Sequence, residues 1–170
     1  MKNKNVPDLI LDKVWQIDET VLRRLGVKAL ILDVDNTLST HGAPMPAGEV
    51  LPWLEKMNTL KVPLMILSNN TRKRVMPFAE RLKLDFVHFA IKPLPGGFRK
   101  AAARLGLAPA EIGVVGDQIF TDILGGNLAG MKTILVMPMG DAGTRLIKLK
   151  RFFEKKYISL YYKGKDGKDQ

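Results

Sequence analysis

The sequence predicts an α/β fold, a three-layer sandwich around a mostly parallel five-stranded sheet. Short apolar runs alternate with segments of helical periodicity, and strands joined by single helices pair in parallel through right-handed crossovers. The runs are apolar throughout, which is typical of strands buried on both faces. They cover 29–32, 62–67, 86–89, 113–115 and 133–136.

The segments between and around these runs predict the remaining elements. Helical spacing over 50–60, 72–84, 98–105 and 119–129 gives one helix after each of the first four strands. We expect short helical turns over 6–24 and a C-terminal helix over 142–162. In that last helix the spacing predicts one apolar stripe of Leu146, Leu149, Phe153, Tyr157 and Leu160, with Lys148, Arg151 and Lys155 on the opposite face.

Length and composition set the class of protein. The 170 residues, 46% hydrophobic and 26% charged, fit a single globular domain over 1–170 with its catalytic core at about 27–140. The chain contains no cysteine, which excludes disulfides, Cys-ligated zinc and a thiol nucleophile. Neither a secretory signal nor a run of ~18–20 apolar residues is present, so we expect a cytoplasmic protein.

The charge is positive and unevenly distributed. The net charge is +10, and residues 144–170 hold nine Lys/Arg against three Asp/Glu. Such a basic end predicts an anionic partner, for which a membrane surface, a nucleic acid or another phosphate-rich surface are the candidates.

Two carboxylates directly follow the first apolar run, in the string Asp33-Val34-Asp35-Asn36-Thr37. In open α/β sheets, ligands bind beyond the carboxyl ends of the strands. Neighbouring carboxylates repel each other, and a divalent cation resolves that conflict. Mg²⁺ suits a site with few protein oxygen ligands and a substrate phosphate. For this string by itself, the alternative is a pair of aspartates that cap a helix or form a turn.

Three further strand ends carry polar groups. Ser68, Asn69 and Asn70 follow the second run, and can donate to phosphate oxygens together with a helix N-terminus. Lys92 follows the third run and offers a compact positive charge. Asp117 and Asp122 follow the fourth run, after Gly116. Each group alone is also typical of a helix cap or a surface residue, but the chance occurrence of all four groups in this order is improbable.

The order Asp-x-Asp-x-Thr, Ser-Asn, Lys-Pro, Gly-Asp-x-x-x-x-Asp resembles the haloacid dehalogenase-like hydrolase superfamily. The resemblance covers about residues 27–140 and all four of its motifs. Within the superfamily, the string 116–127 and Ser-Asn-Asn at 68–70 resemble the small YqeG-type phosphatases, which are related to phosphatidylglycerophosphate phosphatases.

The resemblance implies specific roles. Asp33 would be the nucleophile that forms an aspartyl-phosphate, and Asp35 the general acid and then base. Mg²⁺ would be held by Asp33, the backbone carbonyl of Asp35 and Asp117, with Asp122 supporting the metal or Lys92. The implied set comprises catalytic Asp33, Asp35 and Lys92, substrate-binding Thr37, Ser68, Asn69 and Arg72, and metal-binding Asp33, Asp35, Asp117 and Asp122.

The sequence departs from the family's pattern at Gln118, where many members carry a second Asp directly after the first acid of the last motif.

The short gaps between Asp35, Ser68 and Lys92 leave no room for a cap domain, so the site should be open. An open site and a basic amphipathic C-terminal helix favour an anionic phospholipid substrate, phosphatidylglycerophosphate, at a membrane surface.

Two other functions remain open from the sequence. The first is a soluble phosphatase of a sugar phosphate, nucleotide or phosphoprotein. The second is a non-catalytic protein that binds an anionic surface or nucleic acid, although no nucleic-acid-reading motif is present and we expect no nucleic-acid partner. The sequence leaves the oligomeric state open.

Overall fold

The computed structural model describes residues 3–140 and 145–166 and has the predicted α/β architecture. Six parallel strands form one sheet in the order β1-β6-β5-β2-β3-β4. The strands are β1 (Leu9–Leu11), β2 (Ala29–Leu32), β3 (Leu64–Leu67), β4 (Asp85–Val87), β5 (Ile112–Gly116) and β6 (Lys132–Val136). The helices are α1 (Glu19–Leu25), α2 (Val50–Thr59), α3 (Arg72–Leu82), α4 (Pro95–Leu105), α5 (Leu124–Leu128) and α6 (Arg145–Asp166).

Both faces of the sheet are covered. Val50, Trp53 and Met57 of α2, with the buried side of α3, pack on one face together with Leu30 and Leu32. Phe98, Ala101 and Ala102 of α4 pack on the other face with Ile31 and Val114. Alternate residues of one strand therefore serve two separate cores, which explains why the strands are apolar throughout.

The sheet has one more strand than the five predicted. The segment 6–24 contains β1, a 3₁₀ turn at Val14–Gln16 and α1, rather than helical turns alone. β1 lies at the sheet edge, parallel to β6, with Leu9 opposite Ile134. The Asp8 carboxylate accepts hydrogen bonds from the Thr133 N–H and hydroxyl, which fixes this register. The run Leu9–Leu11 is apolar, but a run this short does not distinguish a strand from a buried helical turn, so its pairing with β6 decides between them.

Residues 33–63, with α2 as their helix, lie between β2 and β3, and residues 68–84, with α3, lie between β3 and β4. The chain is therefore capless, as the spacing predicts. Crossovers run from β2 to β3 and β4 on one side, and the chain then returns to β5 and β6 on the other side. This reversal lies between β2 and β5, and such a topological switch point opens a crevice at the carboxyl ends of the two strands.

The C-terminal helix forms, but its buried face differs from the predicted stripe at two positions, whereas Tyr157 of that stripe packs on the core as predicted. Its predicted start falls on residues outside the described ones, and the side chains of Leu146, Lys148, Leu149 and Arg151 are likewise not described. Phe153 and Leu160 are exposed, so the predicted stripe is wrong there. Glu154 and Tyr161 are buried instead, and Tyr157 and Ile158 pack against Ile119, Ile123 and Leu135. Lys155 is exposed, as predicted.

Candidate active site

Four polar segments meet where the parallel strands end. Asp33 and Asp35 follow β2, Ser68 follows β3 and Asp117 follows β5. Lys92 comes from the loop after β4. The backbone N–H of Asp33 donates to the Val115 carbonyl (2.9 Å), so the β2 and β5 ends remain paired up to the switch point. The sequence separation of these residues is large, but parallel pairing brings them to one crevice.

Lys92 lies at the centre of this crevice. Its Nζ lies 2.6 Å from Asp33 Oδ1, 2.6 Å from Asp122 Oδ1 and 3.1 Å from the Leu67 carbonyl oxygen. The Lys92 side chain is 4% exposed. Burial alone would lower the pKa of Lys92, but the carboxylates of Asp122 and Asp33 raise it above its usual value. Lys92 is therefore a fixed cation that holds two acidic side chains together.

Asp33, Asp117 and Asp122 form a cluster in which one carboxylate oxygen from each lies within 4.8 Å of the others. Gly116 makes this approach possible, because a Cβ atom at that position would overlap the Asp122 carboxyl group. The π-helical turn Ile119–Ile123 carries Asp122 back toward the end of β5. The Gln118 N–H donates to Asp122 Oδ2 at 3.2 Å and fixes its orientation.

Lys92 alone does not neutralise the charge of the three carboxylates in this cluster. Three carboxylates face one ammonium group, which leaves an excess of negative charge when all are ionised. Burial raises the pKa of Asp33 to about 8; Lys92 opposes this shift, and Asp122 and Asp117 add to it. Carboxylate oxygens at this spacing suit a hard divalent cation, which would remove the conflict. The cluster therefore fits the Mg²⁺ site implied by the sequence.

The carboxylate of Asp35 lies outside this cluster. It accepts hydrogen bonds from the Gly42 N–H and from Asn70 Nδ2, both at 2.9 Å. Arg74 Nη2 and His41 Nδ1 lie 3.6 and 3.8 Å from its Oδ1. Asp35 thus has its own set of donors, separate from Lys92. This separation gives the two predicted catalytic acids different environments, which separate chemical roles require.

The predicted substrate-binding residues differ in their contacts. Ser68 is buried, and its Oγ accepts a hydrogen bond from the Asn70 N–H at 3.1 Å. Asn69 bonds the Lys92 backbone on both sides, with Oδ1 at 2.6 Å from its N and Nδ2 at 3.2 Å from its O. Thr37 is fully buried in the turn after Asp35. Arg72 is exposed at the first residue of α3.

Two residues near the site carry contacts that sequence reasoning did not assign. Asn70, which lies in the Ser-Asn-Asn string, binds Asp35 rather than only beginning a helix. Glu154 of α6 is buried, and its Oε1 accepts the Ile119 N–H at 2.7 Å. That bond anchors the turn between Asp117 and Asp122. No local pattern predicts the role of Glu154, because its partner lies 35 residues away.

Comparisons with known proteins agree with these features. The family model described as HAD-hydrolase-like matches residues 90–145. The chain is 33% identical over 159 residues to the probable phosphatase YqeG of Bacillus subtilis (strain 168), which covers 94% of this chain and 92% of that protein.

Two other relatives are more distant. Phosphatidylglycerophosphate phosphatase 1, chloroplastic, of Chlamydomonas reinhardtii is 27% identical over 147 residues, covering 81% of this chain and 55% of that protein. Glyceraldehyde 3-phosphate phosphatase of Methanopyrus kandleri is 29% identical over 136 residues, covering 69% and 57%. The chain thus spans only slightly more than half of each of these two proteins.

Solved structures support the fold. NagD from E. coli K-12 superposes with a TM-score of 0.56 at 15% identity, covering 68% of this chain and 90% of that chain. The identity to YqeG across nearly the whole chain, together with the four motifs at one crevice, leads to one conclusion. The chain belongs to the haloacid dehalogenase-like hydrolase superfamily and is one of its phosphatases.

Proposed function

We propose that this phosphatase converts phosphatidylglycerophosphate to phosphatidylglycerol at an anionic membrane surface, with Asp33 as nucleophile and Mg²⁺ as cofactor. The observation that carries the chemistry is the contact of Asp33 with Lys92 beside two further acidic side chains. A nucleophilic carboxylate next to a fixed cation can approach a phosphate dianion, because the cation offsets the repulsion between like charges.

The metal would be held by Asp33 and Asp117 with the backbone carbonyl of Asp35, and Asp122 would support it. When bound, Mg²⁺ neutralises charge on the phosphoryl oxygens and lowers the barrier to attack by an anion. It would also keep Asp33 ionised, against the burial that raises the pKa of Asp33 to about 8.

The reaction has two displacements at phosphorus. In the first, an oxygen of Asp33 forms the new P–O bond while the bond to the lipid alcohol breaks, and the protonated Asp35 gives that alkoxide its proton. In the second, water attacks the aspartyl-phosphate and Asp35 takes the proton, which releases inorganic phosphate and restores Asp33. Lys92 would hold a phosphoryl oxygen, with Ser68 and Asn69 beside it.

The lipid substrate rests on separate support. One of the relatives is named a phosphatidylglycerophosphate phosphatase, and its match extends over 81% of this chain. The capless crevice admits a headgroup that stays embedded in a bilayer. Exposed lysines and aromatic side chains on α6, among them Lys155, Phe152 and Phe153, suit an anionic membrane interface.

A soluble phosphomonoester is the second candidate. The similarity to glyceraldehyde 3-phosphate phosphatase favours it, because that protein's named substrate is a small sugar phosphate. An open crevice admits such a compound as well as a lipid headgroup, so the substrate class has to be decided by turnover.

The test is inorganic phosphate release from phosphatidylglycerophosphate in mixed micelles, beside a panel that includes glyceraldehyde 3-phosphate and nucleoside monophosphates. Each assay is run with Mg²⁺ and with EDTA. Asp33→Asn should abolish turnover, and Asp12→Asn, which alters an exposed aspartate outside the acidic cluster, should leave it unchanged. Preferred turnover of a soluble ester would reject the lipid, and turnover by Asp33→Asn would reject the nucleophile.

A further inference from the structure

The loop after β4 presents large apolar side chains to solvent at the mouth of the crevice. Phe89 is 64% exposed, Ile91 56% and Leu94 58%. We call these three side chains the rim patch. They occur within six residues, on both sides of Lys92, which is buried. The usual arrangement is thus inverted, with the charged side chain inside and the apolar ones outside.

Two residues of the rim patch have a left-handed backbone conformation. Phe89 has φ of 49° and Ile91 has φ of 54°. A left-handed conformation is unfavourable for bulky side chains and especially for a β-branched one such as isoleucine. Glycine or asparagine would adopt it at lower cost. Backbone strain beside the crevice, at residues whose side chains are exposed, supports a functional role for this loop, because packing does not account for exposed side chains.

Hydrogen bonds hold the loop against the catalytic crevice. The Phe89 N–H donates to the Asn70 carbonyl (2.9 Å) and the Ala90 N–H to the Ser68 carbonyl (3.0 Å). The Lys92 N–H donates to Asn69 Oδ1 (2.6 Å). Because Asn70 also binds Asp35, the rim patch is fixed beside the residues that would meet the leaving group.

The neighbouring surface is basic. Arg72 and Lys73 are exposed at the start of α3, directly after the Asn69-Asn70 segment that bonds this loop. Apolar side chains flanked by cations are what an anionic bilayer accepts, since the cations meet phosphate headgroups while the apolar groups enter the acyl boundary.

We propose that the rim patch inserts into the interface of an anionic phospholipid bilayer and so brings the crevice to the headgroup of a membrane-bound substrate. This inference rests on the proposed lipid function and adds the surface that brings the crevice to the lipid. Residues Phe89, Ile91 and Leu94 enter the membrane beside the scissile phosphate, whereas Lys92 stays inside and holds Asp33.

The test is a triple variant, Phe89→Asn, Ile91→Asn and Leu94→Ser. Asparagine tolerates positive φ, and serine is a good N-cap at position 94, where α4 begins. The substitutions therefore remove apolar surface without opposing the backbone conformation. The control pair is Leu51→Gln and Leu128→Gln, exposed apolar side chains of α2 and α5. Vesicles of equimolar phosphatidylglycerol and phosphatidylcholine are the probe, in a co-sedimentation assay.

The triple variant should bind these vesicles about tenfold less tightly or worse, because three apolar side chains no longer leave water. The control pair should bind like the wild type. With p-nitrophenyl phosphate in solution, the triple variant should keep its kcat/KM within about twofold, as expected for surface substitutions. Wild-type vesicle binding by the triple variant would overturn the proposal.

Two further measurements distinguish a membrane contact from a protein contact and from the substrate itself. If the wild type sediments as a dimer in analytical ultracentrifugation and the triple variant as a monomer, the patch is a contact between two copies and the membrane proposal is wrong. If the wild type binds vesicles through the patch but hydrolyses only soluble esters, the lipid substrate fails while the rim patch stands as a membrane contact.

Discussion

At the scale of single residues, the ionisation of Asp33 couples the site to stability. Its folded pKa of about 8 lies above the ~3.9 of an unfolded aspartate, so the folded chain binds the extra proton between these values. The contribution of this proton to stability is complete below pH ~4 and is lost as pH rises through about 8. We expect the free energy of unfolding of the metal-free protein to fall across that interval.

Asp33→Asn removes this titration, so its stability should change less with pH. Urea denaturation in EDTA at several pH values measures both proteins, and equal slopes would contradict the assignment. The raised pKa of Lys92 adds stability that is lost only at strongly alkaline pH, above the interval measured.

The repulsion among the carboxylates of the acidic cluster also predicts how Mg²⁺ affects the stability of the fold. The cation binds ionised carboxylates, so its binding should release a proton and stabilise the fold more at pH 8 than at pH 5. Thermal unfolding with Mg²⁺ or EDTA at both pH values measures the effect. A matched variant, Asp12→Asn, should respond like the wild type, whereas Asp33→Asn should lose most of the response. Equal stabilisation of Asp33→Asn would place the cation elsewhere.

Gly116 supplies a steric test of the acidic cluster. Gly116→Ala places a Cβ atom against the Asp122 carboxyl, which must move. We expect a loss of about 1–3 kcal/mol in stability together with weaker Mg²⁺ stabilisation. Gly96→Ala is the control, because a Cβ atom there meets nothing within 4 Å in α4 and should stabilise by about 0.5–1 kcal/mol. An unchanged Mg²⁺ response in Gly116→Ala would count against the cluster as the metal site.

The sequence is most informative where a residue type and a strand end coincide. Asp33, Ser68 and Asp117 each follow an apolar run, so their convergence can be inferred from parallel pairing alone. The contacts of Asn70 and Asn69 are not predictable this way, since they depend on how the loop after β4 folds back. The sequence thus indicates which polar side chains meet at the crevice, and the structure adds the hydrogen bonds that orient them.

At the scale of elements, the errors come from contacts between distant segments. The three apolar residues of β1 fit both a strand and a buried helical turn, and its pairing with β6 decides between them. The buried face of α6 contains Glu154, which is not part of the apolar stripe that the spacing predicts. Its burial is offset by the hydrogen bond from Ile119, which lies on another element. Periodicity therefore predicts that a helix forms more reliably than which face it buries.

Substitution of Glu154 tests the contact between α6 and the turn Ile119–Ile123. Glu154→Ala leaves the buried Ile119 N–H without its acceptor and should lower stability by about 1–3 kcal/mol. The turn between Asp117 and Asp122 should loosen as well, so kcat for a soluble phosphomonoester should fall. Lys155→Ala, on the exposed side of the same helix, is the control for helix propensity. Normal kcat in Glu154→Ala at a temperature where it is folded would show that the helix only adds stability.

For the whole molecule, the direction of the parallel strands places the crevice and the rim patch at one end of the sheet. Among the described residues no helix has the length and apolar character required to cross a bilayer. The crevice, the rim patch and the turn that contacts α6 all lie at the carboxyl ends of the strands. Lys28, Lys61 and Lys83 lie shortly before the first residues of β2, β3 and β4, at the amino ends of the strands. These three lysines and three exposed lysines of α6 give two sets of equal charge for comparison, and Lys28 differs from the others in its ion pair with Glu111.

Replacing Lys155, Lys156 and Lys163, which are exposed on α6, by glutamine tests whether this helix faces the membrane. Each basic residue near an anionic surface contributes about 1 kcal/mol, so vesicle binding should weaken by about tenfold or more. The loss should be greatest at low salt, because screening already weakens these contacts at high salt. The same number of substitutions at Lys28, Lys61 and Lys83 should have little effect. Equal losses from both sets would mean that net charge alone drives binding, without a preferred orientation of the crevice.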